Sequence, residues 1–552
     1  MGRHEIDSEK GQSPITEPIS DTESLPRDAT DEEIRTLPRV VDRLPIAAWA
    51  AALIGSAERF SYYTIISIWQ NYMQHGRQFR AVPGALGLGQ STATSISNSF
   101  FVFSFVTPML FAVISDVWLG RYKTLVVSFC LLICGSSVMF VTSLPVALDS
   151  GAGVPGLAVS MLLMGLGVGG VKSTISPFIG DQYVQRKPQL VRQKDGTLSI
   201  VDGSRTIQFL YNAFYWFTNI ASLSSIPATF LEREFDFWTA YLMAVISLIV
   251  SLAVLISMKS RLVKVVPHEN NLPRAVKVLS TAARNGFKLD HAKTSYQLER
   301  HGRSVPWDDS FVDELKRGLV ACRVIFSFAF FYLSITQMYN NLISQAGQMN
   351  LHGVPNDMIQ AMAGVACVVF GPIVQGLYNF LAKRRLAFGP IARISTAFII
   401  CGGGMAYAAG VQKLIYSTGP CYDAPLACPE SDSGGLRLPN DVNVWLQLPV
   451  YVALAIAEIF GLVTASEYSY EKAPRGMRSV VQAMVQLSAC LGALLGIAIS
   501  PAARDPYLVI VYAVLAGVMG LCSVLFWWIF RKYDKINDQL NCLPDTTPES
   551  AR

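Results

Sequence analysis

The chain has 552 residues, of which 51% are hydrophobic and only 15% charged, with a formal net charge of +5. Its mean hydropathy is +0.36, whereas soluble globular chains are about a quarter charged. This balance excludes an ordinary soluble domain. Lys and Arg fall between apolar runs rather than in one patch, so a nucleic-acid partner is excluded as well, and an all-α, polytopic membrane protein is expected.

Residues 1–43 are polar, rich in Glu, Asp, Ser and Pro, and lack an early apolar core. That composition predicts a disordered tail and not a cleavable signal peptide. Twelve apolar runs of bilayer-spanning length follow, near 44–72, 93–115, 123–146, 154–180, 206–230, 237–258, 317–346, 357–381, 389–414, 442–470, 479–502 and 507–530. A polar block over 259–316 divides them six and six, into an N-terminal bundle (44–258) and a C-terminal bundle (317–530), with a second tail over 531–552. Such halving is the pattern of a major facilitator, whose two bundles rock about a midplane site. Asp116-Val117-Trp118-Leu119-Gly120-Arg121-Tyr122-Lys123 also resembles that superfamily's cytoplasmic loop motif.

The basic clusters, from Arg121 and Lys123 through the 259–316 block to Arg531-Lys532, fall on one side if both termini are cytoplasmic, as the positive-inside rule expects. Cys421 and Cys428 then lie in an outside polar loop, where a disulfide between them is expected. The other eight cysteines sit in or near apolar runs or in the C-terminal tail and read as small buried hydrophobes. All six histidines (His4, His75, His268, His291, His301 and His352) fall in tails or loops. No intramembrane His metal site or His-based dyad is visible, so neither enzymatic activity nor a cofactor or metal is expected.

The stretch Gly55-Ser56-Ala57-Glu58-Arg59-Phe60-Ser61-Tyr62-Tyr63 places an acid beside a base within the first apolar run. On a helix Arg59 and Tyr63 share a side, while Glu58 points about 100° away, so the two charges are expected to serve different partners. A charge at membrane depth is a functional-site hypothesis by default, the alternative being a structural ion pair between helices. Lys172, in Gly167-Val168-Gly169-Gly170-Val171-Lys172-Ser173, reads as a cavity-facing cation because of its mid-span position, or as a Lys that snorkels to an interface. The neighbouring glycines allow a helix or a substrate close to the backbone.

Four segments together resemble the proton-dependent oligopeptide transporter family, and most closely its fungal branch. They are Glu58-Arg59-Phe60-Ser61-Tyr62-Tyr63; Phe214-Tyr215-Trp216-Phe217-Thr218-Asn219; Gln337 through Met349 with His352-Gly353-Val354-Pro355-Asn356-Asp357; and Glu458-Ile459-Phe460 through Glu467-Tyr468-Ser469-Tyr470 to Lys472-Ala473-Pro474-Arg475-Gly476-Met477. The resemblance covers roughly residues 44–530. It implies that Arg59, Tyr63 and Lys172 bind the carboxylate end of a peptide, and that Tyr215 and Asn219 contact its backbone. Glu458 would hold its amino group, and Glu467 would serve a gating ion pair. Glu58 is the expected proton carrier on physical grounds, because burial raises a carboxylate's pKa and a nearby Arg lowers it. Tyr215 and Asn219, one turn apart, read equally well as interhelical glue.

The chain also departs from the family pattern. Gly55 stands where the family has a first-helix Glu, Thr336 where many members have a seventh-helix acid, and Ala363-Gly364 where they have Asn-Pro or Asp-Pro. Leu462 replaces a common Ser, and Ile66 a frequent Arg. The implied function is proton-coupled uptake of di- and tripeptides by alternating access, in the plasma membrane, with peptide, protons and the lipid bilayer as partners. Two other readings remain: a diverged carrier of another small molecule such as a peptide-derived metabolite, and a nutrient sensor on a transporter scaffold.

Overall fold

The computed structural model describes residues 27–30, 32–33, 37–77, 82–183, 188–192, 197–264, 271–286, 288–384, 388–426, 438–465, 468 and 478–541. Its first half contains α1 (Ile46–Gln74), α2 (Gln90–Val113), α3 (Arg121–Thr142), α4 (Gly153–Asp181), α5 (Gly203–Ser222), α6 (Ser225–Phe235) and α7 (Phe237–Ser257). Two helices, α8 (Asn271–Arg284) and α9 (Thr294–His301), lie in the polar block. The second half contains α10 (Asp309–Phe326), α11 (Phe328–Ile335), α12 (Asn341–Gly347), α13 (Ala361–Lys383), α14 (Pro390–Ser417), α15 (Leu448–Glu458), α16 (Arg478–Ile499) and α17 (Leu508–Asn541).

Among the described residues, nine helical stretches are long and apolar enough to cross a membrane. They coincide with nine of the twelve expected runs. The other three runs are also helical, but each departs from a plain apolar rod. The first, α1, carries Glu58 and Arg59 at its middle. The fifth breaks between α5 and α6. The seventh is split into the second half of α10, α11, a tight 3-10 turn over Thr336–Tyr339, and α12, and the cause of the last break is local: Asn340 leaves helical geometry (φ −142°, ψ −88°) and its side chain accepts from Asn341 N at 2.6 Å. A cap of this kind satisfies an N–H that a new helix start would otherwise leave bare.

Close packing in the first half depends on the glycines of α4. A Cβ on Gly169 would meet Thr107 Oγ1 at 2.2 Å, and one on Gly170 would meet Ser128 Oγ at 2.0 Å. These glycines therefore serve helix–helix contact with α2 and α3, and Thr107 Oγ1 uses the approach to donate to Gly165 O at 2.9 Å. The loop motif has a matching role. After α2, a wide turn over Ile114–Leu119 ends at Gly120 (φ 75°), and Arg121 places one guanidinium nitrogen 2.6 Å from both oxygens of Asp181 while reaching Asp116 at 3.9 Å. This ties the α2–α3 turn to the end of α4. In the second half, the rings of Phe328, Phe331, Phe398 and Phe526 meet at centroid distances of 5.4–5.7 Å and form the aromatic centre of the core.

The block expected as a linker over 259–316 has a core of its own. Ala275, Val278, Ala282, Ala292, Trp307, Val312 and Leu315 pack together, with Ala483 of α16 and Met109 and Val113 of α2 against them. Trp307 Nε1 donates to Ala292 O at 2.8 Å. On its surface Lys316 bonds both oxygens of Asp290, at 3.0 and 2.8 Å, and holds that carboxyl below its ordinary range.

The described residues within 27–45 and 183–210 belong to a separate compact unit. Its four strands, β1 (Arg27–Asp28), β2 (Arg39–Val40), β3 (Gln189–Arg192) and β4 (Leu198–Val201), are ordered β1-β3-β4-β2. β3 and β4 pair antiparallel, with Leu190 opposite Ile200, both fully buried. The expected disordered tail over 1–43 is thus corrected in part: residues 27–28 and 39–40 are strands, because the β3–β4 pair offers two open edges and the extended tail supplies the backbone groups to fill them.

Candidate functional site

The acid–base run of α1 lies among buried side chains. Arg59 donates to Glu58 through Nε at 2.6 Å and through a terminal nitrogen at 2.8 Å, and Glu58 is 1% exposed. The expectation that the two charges serve different partners is corrected. Although Cβ directions diverge by about 100°, the guanidinium is long enough to fold back onto its neighbour, and a buried carboxylate without a donor would be costly. Glu58 also borders a small void of about 10 Å³ with Tyr62, Ser136, Met164 and Val168, inside the first-half helices.

Tyr62 organises the cations. Arg59 lies over its ring at 4.8 Å, and Lys172 lies 5.8 Å from the same ring and 4.6 Å from that of Phe105. Lys172 thus rests on aromatic faces, which attract a cation, and forms no ion pair among the described residues. Tyr62 and Phe105 were not singled out as site residues; the signal available was Tyr62's place in the Glu-Arg-aromatic run.

Tyr63, one turn beyond Arg59, opens on the other side into a cavity of about 70 Å³ shared with Asn219, Tyr339, Gln360, Cys367 and Glu458. Glu458 is the last residue of α15, immediately before a widened π turn over Ile459–Val463. Such bulges re-aim the side chains around them and concentrate at functional sites. Glu458 has no ion-pair partner among the described residues, and Tyr63, Tyr332 and Tyr339 lie within reach of its charge. Next to this cavity is a larger one of about 650 Å³, lined by residues that include Tyr215, Trp216, Asn219, Val368, Tyr378 and Leu462. Asn219 donates to Tyr215 O at 2.8 Å and borders both spaces, so the structure places the pair on cavities.

The departures have local explanations. A Cβ at Gly55 would stand 2.6 Å from Ile175 Cγ1 and 2.9 Å from Phe214 Cε2, so no acid fits there without repacking. Thr336 Oγ1 donates to Leu333 O at 2.9 Å and is satisfied within its own turn. Ala363 and Gly364 line the 70 Å³ cavity, and Leu462 the 650 Å³ one. Glu467 and Cys428 lie outside the described residues; Cys421 is disulfide-bonded.

The polar residues of the seventh-helix motif form a latch that the sequence did not reveal. Gln70 Nε2 donates to Ser344 Oγ at 3.3 Å, while Gln90 Nε2 and Thr94 Oγ1 both donate to Asn341 Oδ1, at 3.2 and 3.1 Å. Ser91 Oγ donates to Ser500 O at 2.7 Å. These bonds join the adjoining ends of α1 and α2 to α12 and the end of α16.

The family profile described as the POT family matches residues 122–515. The chain is 38% identical to "Peptide transporter PTR_C" of Candidozyma auris over 93% of this chain and 89% of that protein. It is 37% identical to "Probable peptide transporter ptr2" of Schizosaccharomyces pombe, over 93% of this chain and 82% of that one. With "Peptide transporter imqD" of Aspergillus flavus it shares 53% identity over 50% of this chain and 67% of that protein. Among solved structures, the POT family transporter PepTSo superposes with a TM-score of 0.69 at 17% identity, over 90% of this chain and 100% of that one. A POT family transporter in complex with 5-aminolevulinic acid superposes at 0.63 and 18%, over 89% and 97%; at such identities the likeness is one of fold. This chain, a polytopic all-α membrane protein, belongs to the POT family.

Proposed function

We infer that the protein imports di- and tripeptides across the plasma membrane, coupled to protons and working by alternating access. The observation that carries this reading is a pair of opposite, half-buried charges, Lys172 and Glu458, neither ion-paired among the described residues. A zwitterionic peptide brings a carboxylate for the first and an ammonium for the second. Arg59 and Tyr63 would add to the carboxylate pole, and Tyr215 and Asn219 would meet the backbone. Relatives named as peptide transporters support the cargo class. The latch between α1, α2 and α12 would be the closed outer gate, and the 650 Å³ space the inner path. Membrane potential contributes about 2.3 kcal/mol per charge per 100 mV, and Glu58 is the proposed proton carrier. Glu467 would form the inner gating pair, and Cys421 would pair with Cys428.

The test is labelled dipeptide uptake in cells lacking their own peptide carriers, near pH 5.5 and near pH 7.5, with and without a protonophore. Acid-stimulated, protonophore-sensitive uptake is expected; its absence from protein shown to be at the cell surface would refute the reading. A diverged cargo is the second reading, favoured by the apolar wall of Val368, Val374, Ile459, Leu462 and Val463. Under it, apolar peptide-derived compounds would outcompete a simple dipeptide.

A further inference from the structure

Away from the cavities, at the joint that α1 makes with the start of the eighth expected span, two carboxyl groups are buried against each other. Glu232 of α6 is 3% exposed and Asp357 is 0% exposed, and their side chains lie within hydrogen-bonding reach of one another. Asn71 and Asn356 complete the cluster. Each amide donates to the other's oxygen at 2.8 Å, and Asn71 Nδ2 also donates to Glu232 Oε1 at 3.1 Å. Among the described residues, Glu232 Oε2 and both oxygens of Asp357 accept no side-chain hydrogen bond; the backbone N–H groups of Asp357 and Met358 lie beside the Asp357 carboxyl.

Among the described residues, no Lys or Arg is ion-paired with either carboxyl. Asp236 at the start of α7 adds a further negative charge, with Tyr72 of α1 beside it, and the tyrosines facing the pair are Tyr241 on α7 and Tyr451 on α15. Arg233, adjacent in sequence, is exposed and donates instead to Gly353 O. His75, one turn after Asn71, packs on Gly84. Two ionised carboxylates in contact in such a place repel one another, whereas one proton between them turns the contact into a hydrogen bond.

We propose that Glu232 and Asp357 together bind a single proton, and that this proton closes the joint between the two halves of the chain where α1 meets the 356–357 segment. Opening the joint lets water reach both groups, so each can ionise alone. The closed form then holds one proton more than the open form, and rising pH favours opening. Under the transport reading, on which this consequence rests, the joint is the outer gate. Its proton would enter and leave on the same side, and external acid would speed closure without being carried across. The pair is therefore distinct from the coupling role given to Glu58.

The experiment uses the full chain in lipid nanodiscs, without peptide or gradient. In the infrared, wild type minus Glu232→Gln at neutral pH should show the C=O stretch of a protonated carboxyl, and wild type minus Asp357→Asn should show the same band. Spin labels at the exposed positions Val146 and Tyr422 then report the closed-to-open ratio from pH 5.5 to 9.5. For wild type this ratio should fall by up to about tenfold per pH unit, the slope of one linked proton. Either amide variant supplies its own donor and should be flat. If both difference spectra lack the band, or if both variants keep the wild-type slope, the proposal is overturned. A chain that shows band and slope yet takes up dipeptide without proton dependence would overturn the coupling reading and leave the carboxyl pair standing.

Discussion

Removing Arg59 tests the ion pair of α1 directly. Its two hydrogen bonds, at 2.6 and 2.8 Å, are the side-chain bonds that Glu58 accepts among the described residues, and Glu58 is 1% exposed. Arg59→Ala leaves that carboxylate buried beside a void of about 10 Å³, and losing one partner of a buried pair typically costs about 3–5 kcal/mol. Adding Glu58→Gln removes the stranded charge, so the double variant should recover more than half of the loss, since a neutral pair of similar volume is often tolerated. For a chain of this size 1 kcal/mol corresponds to about 1–2 °C, extrapolating the trend for smaller domains. Arg59→Ala should therefore lower the midpoint by about 3–10 °C in a thermal melt of detergent-solubilised protein followed by Trp fluorescence. A single variant that melts with wild type, or a double variant no more stable than the single, would refute the argument that the pair is buried and mutually dependent.

Glu458→Gln should raise the half-saturating dipeptide concentration by roughly 10–100-fold, the loss of one charge-assisted hydrogen bond. It should also abolish any preference for a free over an acetylated amino terminus, read in competition assays. Gly55→Ala should destabilise the protein by about 1–3 kcal/mol through overpacking against Ile175 and Phe214; a melt unchanged from wild type would mean the α1–α4 contact is looser than it looks. Trp307→Ala removes the largest buried side chain of the 259–316 core and its hydrogen bond to Ala292. It should cost about 3–5 kcal/mol locally, seen as faster proteolytic cleavage between residues 259 and 316 with little change in dipeptide uptake.

Much of the architecture was legible because a bilayer imposes a length and a polarity on every crossing. Nine of the twelve expected runs reappear as long apolar helices, and the run of α1 carries its charges where the sequence placed them. The breaks within the fifth and seventh runs were not legible. Hydropathy averages over a window, whereas a break depends on one residue, such as Asn340, capping the helix that follows it. The linker core and the strands at 27–28 and 39–40 were missed for another reason: short polar-flanked segments show their apolar faces only when a partner surface is present.

The candidate site divides along the same line. Residue types alone determined that Arg59, Tyr63, Lys172, Asn219 and Glu458 are polar groups in apolar helices, costly to leave unpaired. Tertiary structure decided how they are used. Arg59 turns to Glu58, Lys172 to the faces of Tyr62 and Phe105, and Glu458 to a cavity shared with Tyr63 and Asn219. Likewise the motif Asn356-Asp357 says nothing of Glu232, which is 125 residues away in the chain and becomes its neighbour only when α6 and the start of the eighth span meet. Composition specifies which groups must find partners, because burying them bare is expensive. Which partner each one finds depends on distances between helices, and those exist only once the chain is packed.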